Sequence, residues 1–189
     1  VRKLTYYIAT SLDGFIAGPD GEFDFFAFEG DLAAAILADY PETMPTHARE
    51  PLGIATAANN RFDTVLMGRA TYEPGLAIGV TSPYGHLRQY VFSRTLEQRD
   101  AAVEIVAGEP AEFVRELKHL DGMGIWLCGG ATLAGQLVDE IDELIIKRYP
   151  VVLGSGIPLF RAPFAVTGFA LADTRVFNTG ATISTYVKH

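Results

Sequence analysis

Apolar residues fall in short runs along the chain, and the runs alternate between two periods. Lys3 to Thr10, KLTYYIAT, is rich in aromatic and β-branched residues and predicts a first strand. SLDGFIAGPDGEFDFF follows as a loop carrying two Asp-Gly pairs. Asp31 to Tyr40, DLAAAILADY, predicts a helix, with Asp31 at its start and Pro41 just past its end. PETMPTHAREPLG, with three prolines, predicts a loop, and a second helix is expected around Ile54 to Phe62. DTVLMG, YVFS (Tyr90 to Ser93) and VEIV (Val103 to Val106) are apolar runs of strand length. Pro110 opens a helix that sets Phe113, Val114, Leu117 and Leu120 on one face. IWLC is a further strand, and the helix after it turns Leu133, Leu137 and Val138 inward. DELIIKRYPVVLGSGIPLF predicts one long strand interrupted at Pro150, with Gly154 to Gly156 as a bulge or edge loop. FALADTRVF and TISTYV then close the chain as a hairpin across Asn178-Thr179-Gly180.

Short apolar strands alternating with helices predict an α/β fold with a mostly parallel central sheet, covered on both faces. The final hairpin makes that sheet end antiparallel. No repeat or linker interrupts the pattern, so residues 1–189 are expected to form one domain. In open sheets of this kind a ligand sits beyond the carboxyl ends of the strands. The residues directly after each strand are therefore the ones to read.

Composition narrows the field. Apolar residues make up 49% of the chain and charged residues 20%, which is globular rather than disordered. A net charge of −8 excludes a general phosphate-backbone binder, though not a local basic pocket. No apolar run reaches membrane-helix length, and the opening VRKLTYYIATSLDG lacks a signal-peptide core. The single Cys128 has no partner for an internal disulfide. Together these predict a cytoplasmic protein without membrane or nucleic-acid partners. His47, His86, His119 and His189 are scattered, so no metal site is expected. Cys128 and Trp126 read as core residues, and no Ser-His-Asp set is evident.

Four segments follow strands: ATSLDG, MGRATYE, SRT and GGATLAG. The last three supply glycine for close backbone approach, helix-start N–H groups, hydroxyls and arginine forks. That combination suits a phosphorylated ligand. GGATLAG is neither the G-x-G-x-x-G fingerprint nor a P-loop, and by itself it also reads as a tight turn. Arg69 and Arg94 each read equally as exposed arginines beyond a turn. Taken together they favour one shared anion. Asp13 is either a plain Asp-Gly turn or, beside Phe15 and Ile16, a carboxyl of raised pKa able to give a proton. Phe15, Tyr72 and Tyr84 are candidates to line a substrate, with the Pro41 to Gly53 loop covering it.

Five of these segments, in order, resemble the dihydrofolate reductase superfamily. The nearest resemblance is to stand-alone proteins similar to the reductase domain of the bifunctional riboflavin-pathway deaminase–reductase. They are YYIATSLDGFIA, DTVLMGRATYE, YVFSRTL, IWLCGGATLAGQLVDE and DELIIKRYPVVLGSGIPLF. The resemblance implies a three-layer dihydrofolate reductase-like fold with NADPH along the carboxyl edge of the sheet. It implies that Gly68, Arg69 and Thr71 meet the cofactor phosphates, and that Ser93 and Arg94 hold the adenosine 2′-phosphate. Gly129, Gly130, Ala131, Thr132 and Leu133 would wrap the pyrophosphate and ribose, Ala9 would lie near the nicotinamide, and Asp13 would face the substrate.

The chain also departs from the family. Asp31 and Asp39 lack the Trp- and Pro-containing context of the pterin-anchoring carboxylate, and YEPGLAIG replaces the Asp-x-Pro-x-Leu segment of the riboflavin-pathway reductases. The expectation is an NADPH-dependent reductase acting on a C=N or C=O carbon of a small pterin- or aminopyrimidine-like substrate. This includes chemistry of the 5-amino-6-(5-phosphoribosylamino)uracil reductase type. A non-catalytic nucleotide-binding protein and a dimeric scaffold are the rival readings. A homodimer paired through late strands such as ELIIKRY is also expected.

Overall fold

A computed structural model covers residues 1–189. Its strands are β1 (Leu4–Thr10), β2 (Phe15–Ala17), β3 (Phe62–Gly68), β4 (Arg88–Phe92), β5 (Val103–Val106), β6 (Gly124–Gly129), β7 (Glu143–Arg148), β8 (Ile157–Pro158), β9 (Phe169–Val176) and β10 (Thr182–Lys188). Its helices are α1 (Gly30–Asp39), α2 (Thr46–Arg49), α3 (Arg69–Ala77), α4 (Pro110–Lys118) and α5 (Ala131–Gln136). Eight strands form one sheet in the order β5-β4-β3-β6-β1-β7-β10-β9. The strands from β5 across to β7 all run parallel. β10 runs antiparallel to β7, and β9 antiparallel to β10. The fold is the expected α/β architecture, mostly parallel with an antiparallel end.

Alternation along each strand builds two cores, one on either side of the sheet. Tyr7, Val65, Met67, Val91, Trp126, Ile145 and Ile183 face α1 and α3, meeting Leu32, Ile36 and Tyr72. Leu4, Tyr6, Leu66, Ile125, Leu127 and Leu144 face α4 and α5, meeting Val114, Leu117, Leu133 and Leu137. The helices that cross toward β5 lie on one face and those that cross back lie on the other. Right-handed crossovers require this arrangement.

Four expectations are corrected. Ile54 to Phe62 is not helical; turns lead into β3, and the short helix falls earlier, at α2. The cause is Arg49, buried, which donates to the carbonyls of Pro41 (2.7 Å) and Ala57 (2.8 Å) and so folds the segment around itself. The Pro41 to Gly53 segment is a loop only in part: Pro41–Thr43 is a buried 3-10 turn and Thr46–Arg49 is the short helix α2. The long late strand is two strands: β7 stays in the main sheet, while β8 pairs with β2 in a separate two-stranded sheet. Leu120 lies beyond the end of α4 and is exposed, so it is not part of that helix's apolar face.

Glu42 is fully buried, and its carboxylate accepts the backbone N–H groups of Arg61 (2.6 Å) and Phe62 (2.9 Å) at the start of β3. Replacing it with alanine strands a buried donor, and we expect Glu42→Ala to lower unfolding free energy by about 1–3 kcal/mol. Glu42→Gln keeps an acceptor and loses less. Urea titration of both variants distinguishes them, and equal losses would mean the acceptor role is not what Glu42 contributes.

Candidate active site

At the carboxyl edge of the sheet the backbones of β3 and β6 come unusually close. A Cβ on Gly68 would lie 3.3 Å from the Gly130 nitrogen and 3.7 Å from the Leu133 Cβ. Gly129 has φ of +130°, a conformation that favours glycine, and the Gly129–Gly130 peptide is cis. A Cβ on Gly130 would meet only the Thr71 hydroxyl, at 3.6 Å, so the turn presents bare backbone toward Thr71. Ala131 and Leu133 are buried beneath it, while Thr132 is exposed.

On the other side of β3, Arg69 opens α3. Its Nε donates to Glu73 (2.6 Å), and its Nη1 donates to the Thr95 hydroxyl. The Ser93 hydroxyl accepts the N–H of Leu96 (3.0 Å), which fixes the turn after β4. Arg94 points outward, with its guanidinium 3.5 Å from Glu109. A hollow of about 430 Å³ lies between these segments, lined by Arg69, Glu73, Thr95, Glu97 and Arg99 among others. Arg99 had no signal in the sequence, because EQRD reads as an ordinary polar loop. Two glutamates offset the two arginines in the hollow, and Glu109 stands beside Arg94, so each arginine at this edge has an acidic neighbour that an anion would have to displace.

The structure thus brings Gly68, Arg69, Thr71, Ser93, Arg94 and Gly129 to Leu133 to one edge. The substrate-side candidates scatter. Ala9, half-buried on β1, stands at the same end of the sheet, opposite Lys147. Tyr84 is half-buried and packs edge-on against Trp126 at 4.9 Å. Phe15 belongs to the small sheet, paired with Pro158. Tyr72 is corrected from pocket to core: it is 2% exposed and donates its hydroxyl to the Thr81 carbonyl at 2.5 Å.

Asp13 also differs from expectation. Its carboxylate is exposed and accepts hydrogen bonds from the Ser11 hydroxyl (2.6 Å), Leu153 N–H (3.1 Å) and Gly154 N–H (2.8 Å). The Ser11 hydroxyl first, and then the two backbone donors, hold its pKa down to about 2 instead of raising it. Asp13 clamps the first turn to the Gly154 loop and is ionised at neutral pH.

Sequence reasoning missed Lys147. It is half-buried on β7 with its ammonium 4.2 Å from the centre of the Tyr7 ring. Burial lowers its pKa from 10.5 to about 8, and it neighbours the Cys128 thiol, which burial raises to about 11. Within LIIKRY it reads as an ordinary alternating strand residue; only its pairing with Ala9 marks it.

A parallel sheet whose carboxyl edge carries a bare Gly-Gly turn, hydroxyls and arginines defines an α/β protein of the dihydrofolate reductase-like fold. The chain belongs to the RibD C-terminal domain family, whose model matches residues 2–183. It is 36% identical over 182 residues to the uncharacterized protein YwjB of Bacillus subtilis (strain 168), covering 93% of this chain and 92% of that one. A Shewanella sp. PV-4 protein named for riboflavin biosynthesis superposes with a TM-score of 0.72 at 25% identity, over 99% of both chains. The diaminohydroxyphosphoribosylaminopyrimidine deaminase/5-amino-6-(5-phosphoribosylamino)uracil reductase of Thermotoga maritima shares the fold (TM-score 0.66, 15% identity). This chain matches 57% of that longer protein and is itself fully covered. The dihydrofolate reductase of Enterococcus faecalis, solved with NADP(H), shares the fold too (TM-score 0.62, 14% identity), over 99% of this chain and 96% of that one.

Because the Asp13 pKa is depressed, its contribution to stability is present above the ordinary carboxylate value and is lost as pH falls through about 2. We expect Asp13→Asn to remove that part of the acid-unfolding curve below about pH 4. The variant should leave the neutral-pH activity profile unshifted. A shifted profile would restore Asp13 as a proton donor.

Proposed function

We propose that the protein is an NADPH-dependent reductase that delivers hydride to a C=N or C=O carbon of a small, flat heterocycle. The observation that carries this reading is the convergence of Gly68, the Gly129–Gly130 turn, Thr71 and the Arg69–Thr95 link at one sheet edge. These residues fit a dinucleotide: the Gly-Gly turn offers backbone without side chains, and the arginines offer paired donors for phosphate. Dihydrofolate reductase of the same fold was solved with NADP(H), which supports the choice of cofactor. NADPH, when bound, supplies the hydride.

The chain's own residues do the rest. Thr71 and the Gly129 to Leu133 backbone hold the pyrophosphate and ribose. Arg69 takes a phosphate once it leaves Glu73, and Ser93 and Arg94 select the 2′-phosphate. The half-buried Ala9 leaves room for a ring at the end of β1. Half-buried Tyr84 bounds the substrate side, backed edge-on by the buried Trp126. The 5-amino-6-(5-phosphoribosylamino)uracil reductase activity named for the Thermotoga relative is the model for the substrate class. A homodimer in the cytoplasm completes the proposal; ELIIKRY forms β7, which lies inside the sheet between β1 and β10 and cannot pair across a dimer, so the pairing edge is the exposed outer strand β9.

Titration of NADPH fluorescence tests the cofactor assignment directly. Arg94→Ala is expected to weaken NADPH roughly tenfold and NADH little, since one charged hydrogen bond is worth ~1.5–3 kcal/mol and this one is solvent-exposed. Equal losses for both cofactors would remove Arg94 from the 2′-phosphate. Gly130→Val puts a branched side chain into the turn without striking backbone, because its nearest neighbour is the Thr71 hydroxyl. It should keep the wild-type Tm and lose NADPH binding; wild-type affinity in this variant would defeat the pyrophosphate assignment.

A further inference from the structure

β6, β1 and β7 lie side by side, and exposure changes abruptly along them. On the face toward α1, Trp126, Tyr7 and Ile145 are buried. One step toward the carboxyl edge, on the same face, Cys128, Ala9 and Lys147 are half-buried. They are the partly exposed residues of that face nearest the Gly129–Gly130 turn, and Phe26 and Tyr149 pack against each other on the same face, 5.0 Å apart.

Lys147 is unlike the other lysines. Lys118 pairs with Asp142 (2.7 Å) and donates to the Glu140 carbonyl (2.6 Å). Lys188 donates to the carbonyls of Val138 (3.2 Å) and Asp139 (2.5 Å). Lys3 is exposed. Lys147 is half-buried with no oxygen partner, and its ammonium sits over the Tyr7 ring. A cation held this way costs stability, because its lost hydration is not replaced by a paired charge.

We propose that Lys147 meets the nitrogen or oxygen of the substrate's reducible double bond and gives it a proton. This rests on the reductase reading of the same edge. Its register suits that role, since Lys147 is the cross-strand partner of Ala9, where the nicotinamide is placed. The groups shown against it are the Tyr7 ring from β1 and the Cys128 thiol from β6, with Tyr84 beside that thiol and Tyr149 beside Tyr7, while β10 opposes it with Ile183. Burial raises the pKa of each tyrosine and of the thiol, so all are neutral at pH 7. No protein carboxylate is paired with Lys147, which leaves its ammonium free to meet a ligand heteroatom. A pKa of about 8 leaves the amine mostly protonated at neutral pH, yet acidic enough to give up a proton.

The step balances. As the substrate carbon accepts hydride from reduced nicotinamide, the electron pair of its C=N or C=O π bond moves to the heteroatom. The Nζ–H bond of Lys147 breaks and its proton bonds to that heteroatom. The oxidised cofactor, the reduced substrate and a neutral amine remain, and water returns the proton to the amine.

The test uses the full chain with NADPH and a panel of aromatic aldehydes, quinones and dihydropterins. Lys147→Met is expected to bind NADPH as wild type does, and to lose at least a hundredfold in single-turnover NADPH oxidation with whichever panel member the wild type reduces. Lys147→Arg, too basic to give its proton, should be as slow. The wild-type rate should fall as pH rises through about 8, and that fall should vanish in Lys147→Met.

A second readout needs no turnover. With ¹³C-labelled lysine in the NADP⁺ complex, the signal missing from Lys147→Met should titrate near pH 8. Native stability should rise between pH 8 and 10.5, because the unfolded chain holds that proton longer. Lys147→Met should therefore melt higher than wild type at pH 7, by a margin that shrinks across that window. A Lys147 that titrates above pH 10, or a Lys147→Met enzyme with wild-type rate and pH profile, overturns the proposal. A wild type that binds no NADPH would instead overturn the reductase reading on which it rests.

Discussion

The site depends on how closely two backbones approach at the ends of β3 and β6. The sheet order inserts β6 between β3 and β1, so Gly68 and Gly130, far apart in the chain, become neighbours. With 3.3 Å from a would-be Cβ on Gly68 to the Gly130 nitrogen, any larger residue at position 68 must push the turn aside. Shifting that turn would also move it away from Thr71. Gly68 therefore sets strand spacing and access to the turn together, and at that position neither property can be altered alone.

The two ends of the sheet are built from different chemistry. At the amino ends of the strands, charged side chains are committed to structure. The Arg2 guanidinium, buried, pairs with Asp63 and donates to Thr64 (2.7 Å) and to the Met123 carbonyl (2.6 Å). Asp142 accepts the Leu4 N–H at 2.8 Å, and Asp63 accepts the Met123 N–H at 2.8 Å. Each of these ties the start of one strand to another part of the chain. At the carboxyl ends the same strands finish in glycine, hydroxyl and half-buried side chains. Stability is concentrated away from the ligand edge, which leaves that edge free to keep exposed backbone and an unpaired cation.

Which parts were legible in the sequence follows from the range of the forces involved. β1, β3, β4, β5 and β6 are apolar runs bounded by turns, so their local pattern decided them. The final hairpin was marked by Asn178-Thr179-Gly180, where Gly180 has φ of +88°. The Ile54 to Phe62 region failed because its conformation is imposed by Arg49 and Glu42, whose targets lie up to twenty residues away. The edge proposed for the nucleotide was readable because glycine and arginine after strands carry a local signal. The proposed substrate side was not: Asp13 was conspicuous in sequence yet serves as a loop clamp, and Lys147 was hidden inside a strand. Only sheet register shows that Lys147 and Ala9 are neighbours.

The charge on the substrate side follows from where the helix α1 carboxylates are used. Asp31 accepts the Asn178 N–H at 2.8 Å, and Asp39 pairs with Arg175. Both acids thus tether the β9–β10 hairpin to α1. No carboxylate lies within ion-pair distance of Lys147; its neighbours are an aromatic ring and a neutral thiol. An acidic pocket selects a substrate that gains a proton or carries one, because a buried carboxylate must be answered by positive charge. A pocket with a cation in that place selects the opposite: a ligand with an electron-rich oxygen or nitrogen facing the sheet. Two proteins can therefore share this backbone and its nucleotide edge and still reduce different molecules. On the proposed reading, selection in this chain rests on α1 carboxylates tied up by the hairpin and a lysine cation on β7.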